Sequence, residues 1–139
     1  MKAVLVDTGP LVALLDGRDR LHRRAAHEAR QIRAPALVGI PVLTEVLHLV
    51  RDPGLRRRLE AAFERGPLQL VSDSGIALVV AALAWLEHFA DHRPDFADAH
   101  LVSWAASDRD LSVWTFDREF STVWRTSSGE PVRLFSPGR

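Results

Sequence analysis

The 139-residue chain contains no cysteine, and among its 18 basic residues there is a single lysine, Lys2. The first absence removes disulfides, thiol nucleophiles and thiolate zinc sites together, so a bound metal would have only oxygen and imidazole to meet. The second leaves lysine-dependent chemistry almost nothing to work with, whereas arginine's planar fork suits phosphate and carboxylate partners. Net charge is missing as well: 18 basic and 18 acidic residues cancel to a formal zero. An anionic partner would therefore be held by a local patch rather than by a global field. Long apolar runs are also lacking. The longest, Ile76 to Leu86, falls well short of the ~20 residues that a spanning helix needs. Asp7 breaks the apolar start Ala3 to Val6 before a signal peptide can form. The expectation is a soluble, cytoplasmic protein without membrane association. Its 47% hydrophobic content suits one domain, residues 1–139, with a core of its own.

What is present is an alternation of short β-branched runs with helical segments. Ala3 to Val6 reads as a strand ending in Asp7, and Thr8-Gly9-Pro10 opens a helix through Leu15. Leu21 to Ile32 reads as a second, polar helix, Ala36 to Val38 as a weak strand, and Val42 to Val50 as a helix with Glu45 at the edge of its apolar face. Pro53-Gly54 reads as a stop, followed by a helix from Leu55 to Arg65, a strand at Leu68 to Val71, and a cap at Ser72 or Asp73. Ile76 to Ala90, apolar on most sides, reads as a buried helix lying over the sheet, and Leu111 to Phe116 as a strand that Asp117 ends. Pro131 to Phe135 offers a last short strand. Strands joined by helical crossovers predict an α/β fold with a mainly parallel central sheet flanked by helices.

Chemistry concentrates on acids at unusual places. Asp7 and Asp117 sit at strand ends, where ligands bind in open parallel sheets. In the helix from residue 96 to 107, Asp98 falls on the face of Leu101, Val102, Ala105 and Ala106, where the pattern asks for a hydrophobe. A buried charge without a partner costs several kcal/mol, so a cation, a proton or a dense hydrogen-bond shell is implied. Asp95, three residues earlier, is read first as a helix cap and competes with Asp98 for the central role. Taken singly, Asp7 is equally a helix cap, Glu45 a solvated helix residue and Asp117 a turn opener. Together the four would repel strongly in one cleft. A hard divalent cation, Mg²⁺ or Mn²⁺, is the simplest compensation, because carboxylate oxygen and water are its ligands.

Val4-Leu5-Val6-Asp7-Thr8, Thr44-Glu45-Val46, Asp95-Phe96-Ala97-Asp98-Ala99 and Thr115-Phe116-Asp117-Arg118-Glu119-Phe120 occur in this order over nearly the whole chain. In this the sequence resembles PIN-domain ribonucleases of the VapC toxin type, from type II toxin–antitoxin systems. The resemblance implies a PIN-like three-layer fold and a metal-dependent endoribonuclease. Asp7, Glu45, Asp98 and Asp117 would be its catalytic and metal-holding quartet. It further implies an RNA substrate, a homodimer and a cognate antitoxin that covers the site. Thr8 and Thr115 match positions that orient a carboxylate or a metal-bound water, and Asp95 and Arg118 are accessory candidates. Arg93, Arg118 and the cluster Arg56 to Arg58 are candidates to grip a phosphate backbone; as a bland alternative they form a solvated face. The four tryptophans are assigned to core or dimer contacts before base stacking. Two other functions stay open: a noncatalytic RNA- or protein-binding relative, and a phosphohydrolase using Asp7 as nucleophile. The latter expects an acid where Gly9 stands and a distant lysine that only Lys2 could supply.

Overall fold

The computed structural model describes residues 2–138, so both ends of the expected 1–139 unit, Met1 and Arg139, lie outside the described residues. Four short strands, β1 (Ala3–Val6), β2 (Ala36–Gly39), β3 (Leu68–Val71) and β4 (Leu111–Trp114), are connected through helices. The helices are α1 (Thr8–Leu15), α2 (His22–Ala29), α3 (Ile40–Leu49), α4 (Pro53–Glu64), α5 (Ile76–His88), α6 (Phe96–Ser107) and α7 (Glu119–Thr122). A 3-10 turn at Ala90–His92 precedes α6. The strands form one sheet in the order β3-β2-β1-β4, with every pairing parallel. The fold is thus a three-layer α/β arrangement, and its sheet is parallel throughout rather than mainly so.

Parallel strands covered on both faces read as continuous apolar runs, and β1 is such a run: Val4, Leu5 and Val6 are each 0% exposed. From β1 the chain builds outward through β2 to β3, then returns to lay β4 on the other side of β1. The strand order reverses between β1 and β4, and such a reversal leaves a crevice beyond the carboxyl ends of the two strands. Their register runs from Ala3 opposite Leu111 to Val6 opposite Trp114. Asp7 and Thr115 consequently emerge side by side, with the Asp7 N–H donating to the Trp114 carbonyl at 2.9 Å. Arg133 anchors the other end of β4. Its guanidinium donates to the carbonyls of Ala105, Asp108 and Leu111, joining α6, the following turn and the strand.

Several local readings are corrected. Pro41 lies in the first turn of α3, which begins at Ile40 rather than Val42, and Pro53-Gly54 opens α4 instead of merely stopping α3. Proline tolerates a first helical turn because its missing N–H has no partner there; Asp52 caps α4 by accepting from the Leu55 N–H at 3.0 Å. The N-cap of α5 is Gly75, at φ 86, not Ser72 or Asp73, although Asp73 Oδ1 accepts from the Gly75 N–H. α2 is shorter than expected, and β4 stops at Trp114, leaving Asp117 in the loop beyond it. The expected last strand is reduced to two isolated bridges, Leu134 parallel with Val113 and Pro131 antiparallel with Arg125.

The largest correction concerns α5. It is not buried: it packs on α6 and leaves Ile76 80%, Val80 57% and Leu83 55% exposed. Its apolar circumference packs on α6 and, through Trp85, on Trp124 and Arg125, while the stripe of Ile76, Val80 and Leu83 stands exposed.

Candidate active site

Asp7 follows β1 directly and caps α1. Its Oδ1 accepts from the Thr8 N–H at 2.8 Å and its Oδ2 from the Thr115 hydroxyl at 2.7 Å. Thr115 in turn accepts from the Asp117 N–H at 2.9 Å, and Asp117 Oδ1 accepts from the Glu119 N–H at 3.0 Å. One hydroxyl therefore couples the loops that leave β1 and β4, fixing the Asp7 carboxylate and the backbone at Asp117 relative to each other. The Thr8 hydroxyl is buried and makes no well-formed hydrogen bond, yet it lies close enough to Glu45 to act on that carboxyl.

Asp95 and Asp98 form a capping box at the start of α6. Asp95 Oδ1 accepts from the Asp98 N–H at 2.8 Å, and Asp98 Oδ2 accepts from the Asp95 N–H at 3.2 Å. Asp95 is the cap that the sequence suggested. Asp98 occupies the third helical position and is half-buried. Glu45 projects from the middle of α3, also half-buried.

These acids share one cleft of about 530 Å³, lined by Asp7, Thr8, Glu45, Asp95, Asp98 and Asp117 among others. Their proximity shows in their protonation. Burial raises the Asp7 carboxyl above its usual range, with Asp117 and Asp95 adding to the rise and the bonds from Thr115 and Thr8 opposing it. Burial likewise raises Glu45, reinforced by Asp95, Asp7 and Asp117. Asp98 is pushed up to about 8, by burial first and then by the facing charges of Asp95 and Asp7.

Among the described residues, no three His, Cys, Asp or Glu side chains already stand in an arrangement that would hold a metal ion. A closed cage is not what a hard ion of this class requires, since Mg²⁺ keeps several waters and takes one or two carboxylates together with phosphate oxygens. The side chains of the acids and threonine that line the cleft offer carboxylate and hydroxyl oxygen, and Asp7, Glu45 and Asp98 are all raised in part by the neighbouring carboxylates. In donor type and in charge the site fits a divalent cation.

The remaining sequence candidates divide. Arg93 lines the cleft from a left-handed conformation at φ 51, whereas Arg118 is exposed and outside the lining. Arg56 donates to the carbonyls of Val50 and Leu47, and Arg58 to that of Leu15, so both close helix C-termini; with Arg57 they lie outside the cleft lining. Trp85, Trp114 and Trp124 are each 1% exposed and are core residues, unavailable to a base. Lys2 pairs with Asp108 beside the amino end of β1, opposite the cleft, which leaves the Asp7-nucleophile phosphohydrolase without its lysine. Gly9, Leu49, Phe116 and Glu119 also line the cleft but were assigned no part in it from sequence. Only Phe116 and Glu119 carried a signal, by flanking Asp117.

The family model described as PIN domain matches residues 4–124. Among solved structures, the chain is similar to VapC20 of Mycobacterium tuberculosis, described as a sarcin-ricin loop cleaving toxin. The identity is 23% and the TM-score 0.72, over 86% of this chain and 93% of that one. It is also similar to FitAcB from Neisseria gonorrhoeae, at 16% identity and TM-score 0.57, over 96% of this chain and 97% of that one. No curated protein matches. With residues 4–124 covered, the three-layer parallel fold in place and the acids at the strand-order reversal, the chain belongs to the PIN domain family.

Proposed function

We propose that the protein is a metal-dependent endoribonuclease of the VapC toxin kind, hydrolysing RNA phosphodiester bonds in the acidic cleft. The observation that carries this reading is the meeting of Asp7, Glu45, Asp98 and Asp117, delivered by four separate segments, at one crevice of the sheet. The description of the Mycobacterium tuberculosis relative as a sarcin-ricin loop cleaving toxin supports RNA as the substrate class. Mg²⁺ or Mn²⁺ held by the four acids would supply an activated water and neutralise charge on the phosphodiester. Thr115 fixes Asp7 so that its carboxylate faces the cleft in one orientation. Asp98 would bind such a cation as a carboxylate, having given up its proton, and the capping box holds its backbone in place. Glu45, with Thr8 beside it, closes the opposite wall from α3.

Substituting Asp98→Asn tests this directly, because asparagine keeps an oxygen for the Asp95 N–H but loses the charge. Cleavage of RNA should fall by at least about a hundredfold in a protein that stays folded. Chelation with EDTA should abolish the parent's cleavage and added Mg²⁺ or Mn²⁺ should restore it. Full activity after either treatment would sink the mechanism. A second reading, a noncatalytic RNA- or protein-binding module, is favoured by one observation: the capping box gives Asp95 and Asp98 a structural task of their own. Absence of cleavage of any RNA by the parent protein would select it.

The same reading includes a homodimer and a cognate antitoxin. For the homodimer, the exposed stripe of Ile76, Val80 and Leu83 on α5 is uncharged from Ile76 to Leu86 and suits a self-complementary contact about a two-fold axis.

A further inference from the structure

Helix α2 carries an ion pair set against the helix's own electrostatics. Arg24 lies in its first turn and Glu28 in its last, placing a cation at the positive end of the dipole and an anion at the negative end. The order, Arg before Glu at i, i+4, is also the weaker one on a helix surface. The pair is nonetheless firmly held. Arg24 Nε donates to Glu28 Oε2 at 2.6 Å, and the Trp114 indole N–H donates to Glu28 Oε1 at 3.0 Å. Glu28 is 6% exposed, so a charged carboxylate is buried with both oxygens satisfied.

The pair holds Arg24 beside a wall of the cleft, although Arg24 is not itself among the lining residues. Its guanidinium carbon lies 4.3 Å from the centre of the Phe116 ring, and Phe116 lines the cleft. Phe116 is itself steadied by an edge contact with Trp114, ring centres 6.0 Å apart. Arg24 is therefore fixed by an ion pair on one side and a ring face on another, while its side chain stays 55% exposed. Among the described residues its terminal Nη groups have no partner. A guanidinium immobilised through Nε with its outer N–H groups open is a preformed fork for a phosphate.

We propose that Arg24 grips the RNA backbone at the rim of the acidic cleft, contacting a phosphate beside the one attacked and setting the path of the strand past Phe116. Glu28 and Phe116 are positioning residues that hold the fork. The assignment of the attacked phosphate rests on the endoribonuclease reading; the grip on RNA does not.

The test measures binding of end-labelled total cellular RNA to the Asp98→Asn protein by fluorescence anisotropy across a salt series, with and without Arg24→Ala, Arg24→Lys and Glu28→Gln. Cleavage by the Asp98-containing parent is measured alongside. Arg24→Ala should weaken RNA binding about tenfold and reduce the slope of log K against log salt by about 0.7, the share of one single-strand phosphate contact. Arg24→Lys should restore the slope but not the affinity, since lysine keeps the charge and loses the fork. Glu28→Gln should weaken binding at unchanged slope. In the cleaving parent, Arg24→Ala should raise KM with kcat nearly unchanged. A folded Arg24→Ala protein with unaltered affinity and slope, in a parent that cleaves, overturns the role of Arg24 alone. A parent that binds RNA through Arg24 but never cleaves overturns the nuclease reading and leaves the grip standing, and a parent that neither binds nor cleaves overturns both.

Discussion

Asp98 is a residue whose environment alters its chemistry. Burial and the charges of Asp95 and Asp7 push its carboxyl up to about 8 from the usual 3.8. A carboxyl with a raised folded-state pKa contributes stability that is complete below its unfolded pKa and disappears as pH rises through the folded value. In metal-free protein, stability relative to Asp98→Asn should therefore decline between about pH 4 and pH 8 and level off above that. Urea unfolding of both proteins across this range, in EDTA, measures it; a difference independent of pH would mean that Asp98 is not perturbed. Burial raises Asp7 and Glu45 too, so the variant should retain part of the decline. The sequence exposed Asp98 as an acid on an apolar face, but its reciprocal bond with Asp95 depends on backbone geometry at the helix start and became visible only there.

At the scale of elements, the acids of α3 and α6 are brought together by a close approach at Gly39, the last residue of β2 and the N-cap of α3. A Cβ at this position would lie 3.1 Å from His100 Cε1 and 3.3 Å from Trp104 Cζ3, both on α6. The backbone, at φ −87, accepts alanine without strain, so two effects compete. Lower entropy of the unfolded chain would stabilise Gly39→Ala by about 0.4–1 kcal/mol, whereas crowding in a close-packed core costs about 1–3 kcal/mol. Crowding should win, because His100 is 2% exposed and its ring has little room to retreat. A net loss of about 1 kcal/mol in urea unfolding is expected, and a gain would show that α6 yields freely. Any outward shift of α6 moves Asp95 and Asp98 with it, so RNA cleavage should drop together with stability. Nothing in the sequence marked this glycine as a contact, since the approach is between segments about sixty residues apart.

For the whole molecule, the exposed apolar face of α5 leads to a prediction about assembly. Leu83→Glu should convert a dimer into a monomer in analytical ultracentrifugation while the single chain stays folded, because Leu83 is 55% exposed; any fall in unfolding temperature should be the part that assembly contributed and should vanish on dilution of the parent. A charge on that stripe would be desolvated in the assembled form at a cost of several kcal/mol. An unchanged sedimentation coefficient would move the dimer contact elsewhere or remove it. The α5 segment also shows where sequence patterning misleads: an all-round apolar helix is read as buried. Here one flank meets α6 and the other lies open, a distinction set by neighbours rather than by composition.

The sequence by itself determined the alternation of strands and helices and the parallel sheet that short strands with helical crossovers require, and it singled out Asp7, Glu45, Asp95, Asp98 and Asp117 but not Glu119 among the acids that line the cleft, because these follow from local periodicity and from charges standing at strand ends and on apolar faces. Tertiary structure alone decided the rest. The reversal of strand order sets Asp7 beside Thr115, the return of α6 brings Asp98 against Asp7, and the long reach from α2 carries Arg24 to Phe116. Each of these pairs residues far apart in the chain. Their mutual distance depends on how covered faces are matched across the sheet, and no window of sequence contains that information.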